Sequence, residues 1–169
     1  AGATLLDVYT RLYQDYGVTL PGGSCSTVGA GGHITGGGYG LLSRLHGLTV
    51  DYLHAVEMVH VTKEGRAEIV TVSRDSADPD EQALLWGHTG GGGGNFGIVT
   101  KFLFSDLPPA PSEAHTLSLA FDWSTLDQAG FRRFVQNYGH FMEENSAVDS
   151  PYAGFFPLLA LSQKAAGQI

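Results

Sequence analysis

The sequence predicts an α+β fold, and three observations carry that expectation. Helical and strand-like stretches alternate without the regular strand–helix–strand period of a parallel sheet. One pair of strand-like runs, residues 55–61 and 66–73, flanks the turn Thr62-Lys63-Glu64-Gly65, as in an antiparallel hairpin. Sixteen of the 24 glycines crowd into two stretches, 22–40 and 87–97, which interrupt regular structure without dividing the chain evenly.

Residues 4–16 carry the clearest helical pattern, with Leu5, Val8, Tyr9, Leu12, Tyr13 and Tyr16 on one face. Thr4 and Asp7 have the spacing of a capping box, and Gly17 stands where a left-handed C-terminal cap is wanted. Val18-Thr19-Leu20 reads as a short strand closed by Pro21-Gly22-Gly23. The nine glycines of 22–40 argue against any regular helix or long strand there, since each costs about 0.5–1 kcal/mol inside an element. Residues 41–46 suggest a short helix stopped by Gly47, ahead of the hairpin. Asp78-Pro79-Asp80-Glu81 sets up a helix start, with N-cap, proline at the first position and acids in the first turn, and that helix runs to Trp86-Gly87. After the second glycine stretch, 98–104 and 115–122 read as strands, separated by the stiff Pro108-Pro109-Ala110-Pro111 connection, a domain boundary. Ser124 with Asp127 opens a second amphipathic helix reaching about Glu144.

With 169 residues and 43% hydrophobic content the chain can bury a core. Nine Lys and Arg against 17 Asp and Glu, a formal charge of −8, argue against a nucleic-acid partner. No apolar run reaches the roughly 18 residues of a transmembrane helix, so no membrane partner is expected. A single cysteine rules out an internal disulfide. The start lacks Met, and the apolar run 153–161 is followed by only eight residues. Both features suggest an internal segment of a longer protein, and neither end indicates a localisation.

Clustered glycines bring backbone close to backbone or ligand, and bare N–H groups can then cradle oxygens. A flexible linker fits poorly, because Val28, Ile34, Tyr39, Leu41 and Leu42 interleave the first cluster. Gly92 to Gly97 satisfies G-x-G-x-x-G, but a helix precedes it and a strand follows, the reverse of the dinucleotide fingerprint. No phosphate loop of the G-x-x-x-x-G-K-[ST] type is present. Seven histidines, at 33, 46, 54, 60, 88, 115 and 140, lack metal-ligand spacing, and no G-x-S-x-G nucleophile stands in the chain. Cys25 reads two ways: a buried structural thiol, or a thiol lying against whatever ligand the glycine loop holds.

The stretch from Gly23-Ser24-Cys25-Ser26-Thr27-Val28-Gly29 through Gly40 resembles the signature of the berberine bridge enzyme-like oxidases, within the vanillyl-alcohol oxidase flavin fold. The likeness continues through Leu42 to Leu48, Asp51-Tyr52-Leu53, Leu84-Leu85-Trp86 and Gly90 to Thr100, in order over roughly residues 4–104. It implies that residues 1–107 form the second part of an FAD-binding domain and that 112–169 begin an α+β substrate domain. It also implies FAD bound covalently through Cys25 sulfur to carbon 6 of the isoalloxazine, with a second attachment to a histidine outside this chain. By the same resemblance Thr27, Val28, Gly29, Gly31, Gly32, His33, Gly36, Gly37, Gly38 and Gly40 surround the flavin, with Gly97 and Val99 as a further wall.

Tyr39 either faces the substrate, as in sugar-oxidising relatives, or packs beside the flavin. The principal base of those relatives lies beyond this chain. The implied activity is oxidation of an alcohol or hemiacetal carbon of a carbohydrate or glycosylated metabolite, with oxygen as acceptor. The alternatives are a dehydrogenase or oxidative cyclase of the same family, and a non-enzymatic glycine-rich binding domain. The chain would need the remainder of the same flavoprotein to act.

Overall fold

The computed structural model describes residues 2–167, which fall into two compact units divided between Ala110 and Pro111. In the first, α1 (Leu5–Arg11) starts as the sequence predicts. The Thr4 hydroxyl accepts from the Asp7 amide at 3.3 Å, and the Asp7 carboxylate accepts from the Thr4 amide at 2.8 Å. Those bonds hold the Asp7 carboxyl below its usual range. The helix widens into a π turn over Leu12–Tyr16 and ends at Gly17 in the left-handed conformation, φ 65°. The strand expected at 18–20 does not join a sheet. Instead Thr19 donates to Pro108 O and Ala110 donates to Gly17 O, both at 2.9 Å, so this segment pairs with the proline-rich connection.

The first glycine stretch overturns a second expectation, because it contains a helix, α2 (Ala30–Thr35). Glycine propensity is outweighed here by tertiary anchors. Ala30 and Ile34 are buried in the core, Ala30 N–H donates to Ala3 O at 2.9 Å, and the Thr35 hydroxyl donates back to Gly31 O at 3.0 Å. A four-residue helix, α3 (Ser43–His46), follows and stops at Gly47, whose φ is 81°.

The hairpin forms as expected from β1 (Leu53–Val61) and β2 (Ala67–Ser73), closed at Gly65 with φ 78°. Pro79–Gly87 forms α4, with the Asp78 carboxylate accepting from the Asp80 amide at 2.9 Å. Ile98–Phe104 forms β3, which pairs antiparallel with β1 and gives the order β2-β1-β3. Central β1 supplies the fully buried Leu53, Val56 and Met58 to a core that also holds Leu5 of α1, Ala30 and Ile34 of α2, Val72 of β2 and Leu85 of α4. Each such side chain contributes roughly 1.5–3 kcal/mol of transfer free energy, an upper estimate.

In the second unit, the strand predicted over 115–122 does not form, and 115–121 carry no regular structure. Leu117 and Leu119 alternate correctly, yet no described segment pairs with them, and pairing is what makes a strand. The helix α5 (Gln128–Glu144) is capped by Asp127, whose carboxylate accepts from Gly130 N–H at 2.6 Å. Ser124 belongs instead to a preceding 3₁₀ turn capped by Asp122. Aromatic pairs line one side of α5: Phe134 with Phe121, Phe131 with Trp123, and Phe141 with both Tyr152 and Phe155. Within the apolar run, Phe155 is placed by that contact, whereas Leu158 is exposed.

Candidate functional site

The first unit's functional surface is an arch, Gly23 to Val28, standing on α1. The first amides of any helix lack intrahelical acceptors. Here they find them in the arch: Leu5 N–H donates to Val28 O at 2.9 Å and Leu6 N–H to Ser26 O at 3.2 Å. The other foot is held by side chains. The Tyr9 hydroxyl donates to Gly23 O at 2.9 Å, and Gly23 N–H donates to His33 Nε2 at 2.9 Å. His33 must therefore be neutral with its proton on Nδ1, and burial pushes its pKa down in keeping with that. Burial also pushes the Tyr9 phenol up, so it remains a donor. Two residues further back, the buried Thr49 hydroxyl donates to Pro21 O.

Cys25 stands on the crown of this arch with its thiol exposed, and Ser24, Ser26, Thr27, Val28 and Gly29 are exposed around it. The reading of Cys25 as a buried structural thiol is thereby corrected: the α1 amides pull the backbone inward and leave the side chain outside.

Downstream, the chain enters α2 at Gly29. No side chain caps this helix, so the Gly31 and Gly32 amides stand in a first turn without intrahelical acceptors. A Cβ added at Gly29 or Gly32 would meet nothing within 4 Å, and at Gly31 only the edge of the Phe102 ring at 4.0 Å. None of the three has a positive φ. Gly36 is exposed and has only helical backbone nearby.

Gly37, Gly38 and Gly40 differ, being buried. Gly37 O and Gly38 O accept from Val50 and Thr49 amides at 3.2 and 2.9 Å. A Cβ on Gly38 would overlap the Thr49 side chain, and one on Gly40 would overlap Gly22 O. These glycines build the floor under the arch. Tyr39, between them, is turned outward and 63% exposed.

The second cluster abuts the end of α2, where Gly90 N–H donates to Thr35 O at 3.0 Å and a Cβ on Gly93 would lie 2.7 Å from the Thr35 hydroxyl. Gly97, at φ 154°, passes over β1 so closely that a Cβ would lie 2.7 Å from Val59 O. Val99 packs half-buried against the core. Both are fixed by the sheet. The structure thus gathers residues 25–40 into one region, part exposed and part buried, with Gly97 just before β3 and Val99 on it, the strand that brings Phe102 to Gly31.

These features fit the FAD that the resemblance implies. The arch offers a free nucleophilic thiol, and α2 offers two amide donors beside glycines whose missing side chains leave open space. Among the described residues no cluster of His, Cys, Asp or Glu could hold a metal ion. Tyr9 and Thr49 are functional supports that sequence reasoning did not single out. Tyr9 carried only a helix-face signal, and its bond to Gly23 spans 14 residues.

Comparison with known proteins agrees. The family described as FAD binding domain matches residues 1–70. Aclacinomycin-N/aclacinomycin-A oxidase of Streptomyces galilaeus is 45% identical over 99% of this chain and 33% of its own length. Hexose oxidase of Chondrus crispus is 42% identical over 82% of this chain and 25% of its own length. Berberine bridge enzyme-like 19 of Arabidopsis thaliana is 43% identical over 66% of this chain and 18% of its own length. The chain thus spans a third or less of these relatives.

Among solved structures, aclacinomycin oxidoreductase superimposes with a TM-score of 0.85 at 43% identity, over 99% of this chain and 36% of that one. The glucooligosaccharide oxidase of Acremonium strictum, described with a 6-S-cysteinyl, 8α-N1-histidyl FAD, gives 0.55 at 39% identity over 66% of this chain and 21% of that one. Aclacinomycin oxidoreductase is followed over nearly the whole chain and the other relatives over about two thirds of it or more, and the chain is a homologue of the berberine bridge enzyme-like FAD-linked oxidases.

Proposed function

We propose that this chain contributes to an FAD-dependent oxidase that removes two electrons from an alcohol or hemiacetal carbon of a carbohydrate or glycosylated metabolite and delivers them to oxygen. Relatives that act on sugars and glycosylated natural products support the substrate class. The observation that carries the reading within this chain is the exposed thiol of Cys25 beside the open glycines Gly29 and Gly32.

In this proposal residues 1–107 are the second part of the FAD-binding domain, and 112–169 begin the substrate domain. FAD, when bound, supplies the two-electron acceptor. Cys25 holds the isoalloxazine through a thioether to carbon 6, and a histidine outside this chain gives the second attachment. Gly31 and Gly32 donate their amides to cofactor oxygens, while Gly29 keeps the approach open. Thr27, Val28 and Gly36 border the ring. His33, Gly37, Gly38 and Gly40 hold the floor beneath it, and Gly97 and Val99 fix the neighbouring sheet edge. Tyr39, exposed among these residues, offers its hydroxyl to the substrate.

The test is peptide mapping of the denatured whole protein over residues 12–44, with turnover of hexoses followed by oxygen consumption and by dye reduction. An FAD-sized adduct on Cys25 together with oxygen uptake is the expected result. A bare Cys25 thiol on yellow protein would remove the covalent assignment, and dye reduction without oxygen uptake would make the enzyme a dehydrogenase.

A further inference from the structure

We infer that Tyr9 is a positioning residue for the covalent attachment of FAD: its hydroxyl fixes the upstream foot of the arch so that the Cys25 sulfur is presented at one place. The inference rests on the proposed attachment at Cys25 and adds a residue to it.

The arch has two feet on one helix. The downstream foot is held by backbone alone, Leu5 N–H to Val28 O and Leu6 N–H to Ser26 O, and is insensitive to side-chain identity. The upstream foot is the Gly23 peptide, just two residues before Cys25. Its carbonyl accepts the Tyr9 hydroxyl at 2.9 Å, and its N–H is taken by His33. Glycine at 22 and 23 leaves this backbone unconstrained by side chains of its own, so the clamp has to come from elsewhere.

Tyr9 reaches into the corner closely enough that a Cβ on Gly22 would lie 2.5 Å from its hydroxyl oxygen. The half-buried side chain packs against the core. Removal of the hydroxyl alone therefore leaves the helix and the packing in place and frees the Gly23 carbonyl. Attachment forms the bond from Cys25 sulfur to ring carbon 6. The thiol proton and the ring hydrogen leave as protons, and dioxygen, the acceptor in the proposed reaction, takes the two electrons. Such a bond-forming step depends steeply on where the sulfur is held.

The experiment compares whole wild-type protein, prepared free of flavin, with Tyr9→Phe and Gly22→Ala after addition of FAD. The Cys25 adduct is followed in time by mass spectrometry, alongside FAD affinity by fluorescence quenching and the melting temperature. Tyr9→Phe should slow adduct formation about five- to tenfold, the effect of one lost hydrogen bond, with FAD affinity changed less than twofold. Gly22→Ala, whose Cβ would lie 2.5 Å from the Tyr9 hydroxyl and 3.1 Å from His33 Nε2 and the Thr49 hydroxyl, should slow it at least as much by displacing the hydroxyl and crowding its neighbours, and it carries the test if the phenylalanine variant does not fold. Adduct formation at the wild-type rate in either folded variant would overturn the role of Tyr9. So would a slowing matched by an equal loss of FAD affinity, which marks a merely structural residue. Absence of any Cys25 adduct in the wild type would instead overturn the attachment itself, and the inference with it.

Discussion

The two glycine clusters look alike in sequence, yet the structure uses them differently. In the second, every glycine has a local reason. Gly87, Gly91, Gly93 and Gly97 are packed so tightly that a Cβ would come within 2.9 Å of a neighbour. Gly90, Gly92 and Gly94 have positive φ, which other residues adopt at a cost. The first cluster contains both kinds too, Gly40 being packed and Gly37 positive. But Gly29 and Gly32 are explained by neither, having open space around them and ordinary backbone angles. Where packing and conformation both tolerate a side chain, the proposed FAD supplies a reason for glycine. On that proposal the second cluster is architecture, and the first is architecture with a ligand face on top.

The comparison breaks most visibly at the packed glycines. Gly40→Ala drives a Cβ into Gly22 O, backbone against backbone, and should cost about 3 kcal/mol or more. The expected readout is loss of a cooperative melt by circular dichroism. Gly97→Ala adds a strained φ of 154° to a contact at 2.7 Å from Val59 O. It should cost about 2 kcal/mol, seen as a lowered denaturant midpoint with an unchanged slope. A wild-type midpoint in either variant would mean that these close crossings relax easily.

A sharper contrast pairs two open glycines. Gly32 lies in α2, so Gly32→Ala should leave flavin-free protein unchanged or more stable by up to about 1 kcal/mol through helix propensity. Its FAD affinity should nevertheless fall about tenfold, or ~1.4 kcal/mol, because the methyl group occupies the approach to the α2 amides. Gly90→Ala should behave in the opposite way. At φ 113° it should destabilise by about 1 kcal/mol and leave FAD affinity alone. Melting curves without FAD and titrations with it separate the two. Equal FAD affinity in both variants would remove the ligand face from the first cluster.

What could be read from the sequence was what local chemistry decides. The Thr4–Asp7 box, the left-handed Gly17, the Asp78-Pro79 helix start and the turn at Gly65 all rest on neighbours within four residues, and all are present. Three expectations failed where distant partners decide. Residues 30–35 became helical because Ala30 and Ile34 enter the core, against glycine's own preference. Residues 18–20 find only an isolated bridge to the proline-rich connection, and no described segment pairs with 115–121, whereas a strand needs a continuous ladder. In the site, motif order located the Cys25 arch and its glycines. It could not divide them into floor and face, nor could it find the Tyr9 clamp, because both depend on which segment lies opposite.

The last difference between the clusters is in what holds them. The first is held, besides its backbone bonds, by the side chains of Tyr9, His33 and Thr49 reaching it from other elements, whereas the second meets the end of α2 through a backbone bond, Gly90 N–H to Thr35 O. One of these titrates. Burial lowers the folded-state pKa of His33, so the unfolded chain takes up its proton first as pH falls. The contribution of His33 is complete above the ordinary histidine value near 6.5 and is given up as pH drops from there toward the folded pKa. Protonation in the folded state also removes the acceptor for Gly23 N–H, so the upstream foot of the arch should loosen as pH falls through the lowered folded pKa. His33→Gln keeps an acceptor oxygen but cannot titrate. Between pH 8 and 5 the wild-type melting temperature should fall by a few degrees more than that of the variant. Hydrogen exchange at the Gly23 amide should rise in the wild type alone. Parallel melting profiles would show that the clamp does not depend on the charge state of His33, and would leave the two clusters equally indifferent to pH.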